Sequence, residues 1–254
     1  MKRYNLVVFD LDGVLYRGNE VVHGAPQVVN EFKKRGAKVR YLTNNSSQTR
    51  TAYAEKLNRM GFDANENEIY SSAYAAAKYL KGETVYVVGE DGLRDEMKQQ
   101  NVVLIDSPED FSEWVAVGIC WKLKYEHIDE AQHRIRNGAK FLATNLDATY
   151  PDEGGRIRPG AGAIVAAVSE SANKRPDIVI GKPEKIIMGM IFEETGCTSD
   201  ETLLVGDRID TDILLAQRTG CDSALVLSGV TDTPHIQDIT PTYVLKSVAD
   251  LAVE

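Results

Sequence analysis

The sequence predicts an α/β fold, a doubly wound parallel sheet with a second α/β domain inserted into it. Short apolar runs alternate with helical segments along all 254 residues, which is typical of parallel strands joined by crossover helices. Polar residues follow several of these runs, as expected where parallel strands end at a shared ligand-binding edge. The length allows two modest domains, and 43% hydrophobic content allows a sizeable core.

The first strand is the apolar run Leu6 to Phe9, and Asp10 and Asp12 follow it. Side chains two positions apart on a strand share a face, so both carboxylates point the same way if the strand continues to Asp12. Gly13 then permits a sharp turn. Two neighbouring carboxylates repel each other unless a cation or a shared proton relieves them. A strand end capped by solvated acids is the structural alternative.

The segments up to residue 81 predict further strand and helix pairs. Residues 24–35 predict a helix that opens at Pro26 and is closed by the following residue, Gly36, in the C′ position. Residues 38–42 predict a strand that ends in Thr43 and Asn44. Two more helices, at 49–60 and 73–80, complete this part of the chain.

The rest of the chain repeats the alternation less regularly. Strands are predicted at 84–88, 102–105, 115–120, 141–143, 177–180, 202–205, 223–227 and 243–245, and helices at 92–100, 128–137, 160–172, 184–195, 212–219 and 247–252. Pro234 and Pro241 predict a loop between the last two strands. Gly160 and Gly162 lack the third glycine and the preceding strand of a dinucleotide fingerprint.

Composition excludes several classes of protein. The net charge of −9 argues against nucleic-acid binding, which depends on Lys and Arg neutralising phosphates. Three well-separated cysteines form neither a disulfide framework nor a zinc pattern and suit reduced thiols. No apolar run approaches the roughly 18 residues of a transmembrane helix, and acids interrupt the N-terminal apolar segment, unlike in a signal peptide. We therefore expect a cytoplasmic protein.

Polar residues of complementary kinds stand at four predicted strand ends: Asp10 with Asp12, Thr43 with Asn44, Lys182, and the acidic segment 206–212. A hydroxyl and an amide can donate to phosphoryl oxygens, and a lysine is a point cation suited to phosphate. Taken singly, each has a structural alternative: a helix cap, an exposed lysine, or acids that complement a helix dipole. Their common placement at one sheet edge favours a functional site.

These residues carry a resemblance to a known family. Residues 10–15 (DLDGVL), Thr43, Lys182 and residues 206–213 (GDRIDTDI) resemble the four ordered motifs of the haloacid dehalogenase superfamily, over nearly the whole chain. The segments DLDGVLYRG, TNNSS, TNLDATYP and GKP are similar to the branch that contains the NagD-type, p-nitrophenyl phosphate, phosphoglycolate and pyridoxal phosphate phosphatases. Val14 and Leu146 are small departures from the family pattern.

The resemblance implies a Rossmann-like core and a phosphatase mechanism. Asp10 would attack phosphorus to give an aspartyl phosphate that water hydrolyses, and Asp12 would act as general acid and then base. Mg²⁺ would be held by Asp10, the Asp12 backbone carbonyl and Asp207. Asp212, rather than Asp210, would orient metal-bound water. The phosphoryl group would be held by the remaining motif residues, Thr43, Asn44 and Lys182.

The long interval between Thr43 and Lys182 must hold the extra domain, because only a short link joins Leu15 to the first helix. We place this domain at residues 82–176, and the core at 1–81 and 177–254. The inserted domain resembles the class II caps of this branch, lids that exclude water and select the leaving group. Asn145 and Asp147 would then contact the substrate, although a structural turn is the alternative.

Other functions remain open on the sequence alone. A non-catalytic phospho-acceptor such as a receiver domain also gathers acids, Thr and Lys around Mg²⁺, but on a chain of about half this length. A halide-removing hydrolase of the superfamily lacks the second aspartate, and an inactive binding protein would lack a motif residue. The expected partner is a small phosphorylated metabolite, namely phosphoglycolate, pyridoxal phosphate, a nucleotide or a sugar phosphate. Caps of this kind frequently mediate dimers in relatives, so a homodimer is an open alternative to a monomer.

Overall fold

A computed structural model describes residues 2–151, 156–229 and 238–251. The chain forms two compact units. Unit 1 comprises Met1–Thr43, Thr51–Tyr70 and Lys182–Glu254, and unit 2 comprises Asn44–Arg50 and Ser71–Gly181. The domain bounds inferred from the sequence, 82 and 176, stay a prediction.

The described residues form 15 strands and eight α-helices. The strands are β1 (Leu6–Asp10), β2 (Tyr16–Arg17), β3 (Glu20–Val21), β4 (Lys38–Thr43), β5 (Ile69–Ser71), β6 (Thr84–Val88), β7 (Val103–Leu104), β8 (Trp114–Val117), β9 (Lys140–Ala143), β10 (Thr149–Pro151), β11 (Ile157–Pro159), β12 (Ile178–Val179), β13 (Thr202–Gly206), β14 (Asp222–Val226) and β15 (Tyr243–Leu245). The helices are α1 (Ala25–Lys34), α2 (Arg50–Arg59), α3 (Ser72–Tyr79), α4 (Asp91–Gln99), α5 (Tyr125–Arg136), α6 (Ala161–Ala172), α7 (Ile186–Thr195) and α8 (Leu214–Thr219).

Unit 1 is built on a six-stranded sheet with the order β15-β14-β13-β1-β4-β5. The pairs that β1 forms with β13 and β4, and that β14 forms with β13 and β15, are all parallel. In chain order the sheet runs outward from β1 first to one side and then to the other, as in doubly wound folds. The direction reverses between β1 and β13, and ligands of such sheets bind at the carboxyl ends of the strands at this point.

The central position of β1 follows from its composition. All five of its residues are buried, as expected for a parallel strand that is covered on both faces. The core of unit 1 includes an aromatic contact between Phe9 of β1 and Phe32 of α1, whose ring centroids lie 6.1 Å apart. This packing fixes the strand that ends at Asp10.

Unit 2 has its own parallel sheet, with the order β12-β9-β8-β6-β7. Each neighbouring pair is parallel. A separate cluster of apolar side chains from β6, β8, β9, α5 and α6 forms its core. Two parallel sheets with helices, one inserted within the sequence of the other, confirm the predicted fold class.

Several element bounds differ from the predictions. The strand predicted at 115–120 ends at Val117, and the helix predicted at 128–137 begins three residues earlier, at Tyr125. The hairpins β2–β3 and β10–β11 were not predicted, because strands of two or three residues are too short to show a periodicity. The predicted C-terminal helix is a 3₁₀ turn at Val248–Asp250, and Pro234 of the predicted loop lies outside the described residues.

The segment Asn44–Arg50, although it follows β4 directly, packs within unit 2. Its last residue, Arg50, donates its backbone N–H to the carboxylate of Glu96 at 2.5 Å, and its guanidinium lies 3.6 Å from the same group. The Arg50 guanidinium also stacks on the ring of Tyr74, 3.8 Å from its centroid. Glu96 is fully buried, so the ion pair with the arginine contributes to the charge balance of this carboxylate.

Replacing Glu96 with alanine is expected to lower the free energy of unfolding of unit 2 by about 3 kcal/mol, because it removes a buried carboxylate that pairs with the Arg50 guanidinium. Urea unfolding followed by tryptophan fluorescence measures this, since Trp114 and Trp121, the two tryptophans of the chain, both lie in unit 2. The control is Asp106→Ala, which removes an exposed ion pair with Arg94 and should change the midpoint little. Equal effects of the two variants would contradict the prediction.

Candidate active site

Neighbouring strands of unit 1 bring two aspartates to the reversal point of the sheet. Asp10 is the last residue of β1, and Asp207 follows β13. Together with Asp212 they form a group of buried carboxylates whose nearest oxygens all lie within 4.8 Å of one another. The parallel pairing of β1 with β13 places the first two there, as the sequence analysis expects.

Lys182 joins this group from the segment before α7. Its Nζ donates to Asp10 Oδ1 at 2.6 Å and to Asp212 Oδ1 at 2.7 Å. The lysine is only 3% exposed, so both contacts are charge-assisted bonds in a site with little water. Lys182 therefore sets the orientation of two of the three carboxylates.

Asp212 is placed by a π-helical turn, Ile209–Ile213, that precedes α8. Its second carboxylate oxygen accepts the backbone N–H of Arg208 at 3.1 Å. Asp210 lies in the same turn but pairs with the Arg208 guanidinium at 2.8 Å, and its side chain is 57% exposed. The geometry thus puts Asp212, and not Asp210, among the buried acids.

The charges in this cluster perturb one another. Burial raises the pKa of the Asp10 carboxyl well above its usual range; Lys182 opposes this, and the neighbouring Asp212 and Asp207 add to it. Burial alone would lower the pKa of Lys182, but Asp10 and Asp212 outweigh it and raise that pKa. The lysine is therefore protonated, and further positive charge beside Asp10 would favour the ionised form of its carboxyl.

Glycines make room for the carboxylates. A Cβ on Gly206 would lie 2.1 Å from Asp212 Cβ, and one on Gly229 would lie 1.9 Å from Asp207 Oδ2. Gly13 has a φ of +82°, as the predicted turn requires, and a Cβ there would lie 2.3 Å from Asp207 Oδ2. Sequence reasoning missed Gly229, which follows β14 and belongs to no motif that we singled out.

Asp12 lies in the loop after β1 rather than on a strand. The strand ends at Asp10, because the chain folds back so that the Leu11 carbonyl accepts the backbone N–H of Leu15 at 2.9 Å. The Asp12 side chain is exposed, yet desolvation raises its pKa, while Lys56 and the Gly18 backbone N–H act in the opposite direction. A raised pKa is what a general acid requires.

The second motif is divided between the two units. Thr43 is the buried last residue of β4 in unit 1, and Asn44 belongs to unit 2. In unit 2, the Asn44 amide donates to Asp147 Oδ2 at 3.0 Å, and the Asn145 amide donates to the Asn44 carbonyl at 2.7 Å. The structure thus brings together the three unit 2 residues that the sequence analysis singled out.

The buried acids of unit 1 suit a hard divalent cation. Asp10, Asp207 and Asp212 offer only oxygen atoms, which Mg²⁺ and Ca²⁺ prefer over the nitrogen and sulfur ligands typical of zinc sites. One lysine against three carboxylates leaves an excess of negative charge for a cation to offset. The donor set therefore fits a metal of this kind.

Comparison with known proteins shows the family of the chain. Residues 7–103 match the model of the haloacid dehalogenase-like hydrolases, and residues 179–251 match a second, HAD-hydrolase-like model. The acid sugar phosphatase of Staphylococcus saprophyticus is 37% identical, covering 100% of this chain and 99% of its own length. That of Staphylococcus aureus is 35% identical, covering 100% of this chain and 99% of its own length.

Solved structures show the same similarity. The p-nitrophenyl phosphatase from Archaeoglobus fulgidus superposes with a TM-score of 0.91 at 29% identity and covers 98% of both chains. A thermostable p-nitrophenyl phosphatase variant from Geobacillus stearothermophilus gives 0.89 at 35% identity over 99% of both chains. The chain therefore belongs to the haloacid dehalogenase-like hydrolase family. Within it, the chain is a phosphoric monoester hydrolase of the NagD and p-nitrophenyl phosphatase branch, so we do not adopt the non-catalytic alternatives.

Across the described ranges, no helix has both the length and the apolar character needed to cross a membrane. The thiols of Cys120, Cys197 and Cys221 are buried and free. The cytoplasmic location inferred from the sequence stays a prediction.

Replacing Gly206 with alanine is expected to lower phosphatase activity about a hundredfold, since the added Cβ must displace Asp212 and a shift of about 1 Å has effects of this size. The matched control is Gly189→Ala in α7, where no described atom beyond the neighbouring backbone of the helix itself lies within 4 Å of an added Cβ. Hydrolysis of p-nitrophenyl phosphate measures both variants. Unchanged activity of Gly206→Ala would show that the position of Asp212 is not needed.

Proposed function

We propose that the protein is a Mg²⁺-dependent phosphatase that hydrolyses small phosphate monoesters through an aspartyl-phosphate intermediate on Asp10. The observation that supports this most directly is the contact of the Asp10 carboxylate with Lys182 beside two further buried acids. A carboxylate so placed can be ionised and oriented for attack only when cations balance the neighbouring acids.

The proposed reaction has two steps. One Asp10 oxygen attacks phosphorus and the ester oxygen leaves, taking a proton from Asp12; Asp12 then takes a proton from the water that hydrolyses the aspartyl phosphate. Lys182 and Thr43 bind the phosphoryl oxygens, and Asn44 is assigned to the same role by its place in the motif. As in other phosphoryl transfers, positioning and charge stabilisation supply most of the catalysis.

The metal would be held by Asp10 and Asp207 and by the backbone carbonyl of Asp12. When bound, Mg²⁺ neutralises charge on the phosphoryl oxygens and lowers the pKa of Asp10. Asp212, which bonds to Lys182 and to the Arg208 backbone N–H, is held ready to orient water from outside the direct ligands. These roles assign each buried acid a separate function.

A sugar phosphate is the substrate class that we propose first. The acid sugar phosphatases of Staphylococcus saprophyticus and Staphylococcus epidermidis are each 37% identical to this chain, and their similarity extends over both units. Phosphoglycolate, pyridoxal phosphate and nucleotides form the comparison set in a screen scored by kcat/KM. The proposed cytoplasmic location suits such metabolites. The roles of Asn145 and Asp147 in substrate selection stay predictions.

Replacing Asp10 with asparagine is expected to abolish hydrolysis of p-nitrophenyl phosphate, because an amide cannot act as the nucleophile. Removing divalent cations with a chelator should abolish it in the wild-type protein, and adding Mg²⁺ should restore it. Asp210→Asn serves as the matched control, because Asp210 is exposed and pairs only with the neighbouring Arg208 among the contacts described above. Hydrolysis that survives both the chelator and Asp10→Asn would refute the proposal.

Replacing Asp12 with asparagine is expected to slow the hydrolysis of alkyl phosphates about a hundredfold and the hydrolysis of p-nitrophenyl phosphate much less. An alkoxide leaves only with a proton from the acid, whereas p-nitrophenolate is stable enough to leave without one. Single-turnover rates with a hexose phosphate and with p-nitrophenyl phosphate measure the difference. Equal slowing of the two esters would argue against the acid role of Asp12.

A further inference from the structure

The backbone of Asn44 is fixed from two sides within unit 2. Its carbonyl accepts the Ser72 hydroxyl at 2.6 Å and the Asn145 amide at 2.7 Å. Ser72 is the first residue of α3, and Asn145 follows β9. Because all three residues are buried, these bonds hold the peptide after Asn44 in one orientation.

The side chain of Asn44 is fixed as well. Its amide nitrogen donates to Asp147 Oδ2 at 3.0 Å, and its amide oxygen lies where a Cβ on Gly181 would approach within 2.5 Å. The glycine therefore leaves space for the amide oxygen while Asp147 accepts from the nitrogen. Together they determine which way the amide faces.

The loop that carries Asp147 is itself rigid. The Asp147 backbone N–H donates to Asn145 Oδ1 at 3.1 Å, and its carbonyl accepts the Gly162 N–H at 2.9 Å. Cβ atoms on Gly160 and Gly162 would lie 2.2 Å from the Asp147 carbonyl oxygen and 2.3 Å from that of Leu146. These two glycines, which lack the pattern of a dinucleotide site, let the first turn of α6 pack against the loop.

The chemistry of Asp147 suits orientation of Asn44 better than direct contact with the phosphoryl group. A carboxylate repels a phosphate dianion, but it is a strong acceptor for an amide N–H. It is half-buried and its contact with Asn44 is direct. This arrangement is a support that preorganises a binding residue.

We propose that Asp147 is a positioning residue for phosphate binding, which holds Asn44 through the bond between their side chains instead of contacting the leaving group. The inference rests on the proposed function, in which Asn44 binds the phosphoryl group. It is an alternative to the prediction that Asp147 selects the substrate. Removing a residue that supports phosphoryl binding lowers kcat/KM by the same factor for every ester. Removing a contact to the leaving group lowers kcat/KM by different factors for different esters.

The experiment compares wild type, Asp147→Ala and Asp147→Asn in the presence of Mg²⁺. The readouts are kcat/KM for p-nitrophenyl phosphate and for a hexose phosphate, and the inhibition constant of inorganic phosphate, which has no leaving group. Asp147→Ala should weaken inorganic phosphate binding about tenfold and lower both kcat/KM values by the same factor. Asp147→Asn keeps an acceptor oxygen and should stay within about threefold of wild type.

Asn44→Ala and the double variant provide the decisive comparison. If Asp147 acts through Asn44, adding Asp147→Ala to Asn44→Ala has no further effect on phosphate inhibition, since the bond is already absent. Additive effects of the two substitutions would overturn the proposal. A change in the ratio of the two kcat/KM values with either Asp147 variant would also overturn the proposal, and it would indicate that Asp147 contacts the leaving group.

A structural control separates positioning from general destabilisation. Asp177 of unit 2 accepts the Phe141 backbone N–H at 2.7 Å, so Asp177→Ala also removes a carboxylate acceptor of unit 2. Asp177→Ala should lower stability without changing phosphate inhibition, and a change in phosphate inhibition equal to that of Asp147→Ala would overturn the proposal.

If Asp147→Ala does not fold, Asp147→Asn is used in its place. A ratio of its kcat/KM values for the two esters that differs from that of the wild type would overturn the proposal. Absence of hydrolysis by the wild type would instead refute the proposed function.

Discussion

Three carboxylates buried within 4.8 Å of one another are the constraint on which the site depends. Like charges at this distance destabilise the ionised state unless they are offset, and Lys182 offsets only part of the charge. In the proposed reaction, the phosphate ester brings further negative charge to the same place. The folded core must therefore keep the acids together against their repulsion. The strand pairing of unit 1 and the glycines beside the carboxylates both serve this requirement.

The sheet and the glycines meet this requirement in different ways. The parallel pairing of β1 with β13 fixes the backbones from which Asp10 and Asp207 project, and burial of every residue of β1 makes the pairing rigid. The glycines at 206 and 229 then let backbone approach the carboxylates closer than any Cβ would permit. The acids are thus confined by main chain, which cannot rotate away as a side chain can.

The sequence was sufficient for the fold class and for the residues that gather around Asp10, because both depend on patterns of a few residues at strand ends. Alternation predicts parallel strands, and parallel strands bring their ends together. It was not sufficient for Gly229, which lies beside Asp207 only because β14 neighbours β13. Nor could it show that the chain leaves strand geometry at Asp10, since the turn depends on several backbone bonds to the Leu11 carbonyl.

The division of the second motif shows why sequence neighbours need not share a structural role. Thr43 takes its position from β4 and hence from the sheet of unit 1, whereas Asn44 takes its position from Ser72, Asn145 and Asp147. In the proposed mechanism, a substitution in the 145–147 loop would change phosphoryl binding through Asn44. Such a substitution would then alter the hydrolysis of every phosphate ester, because all of them present the same phosphoryl group to that residue.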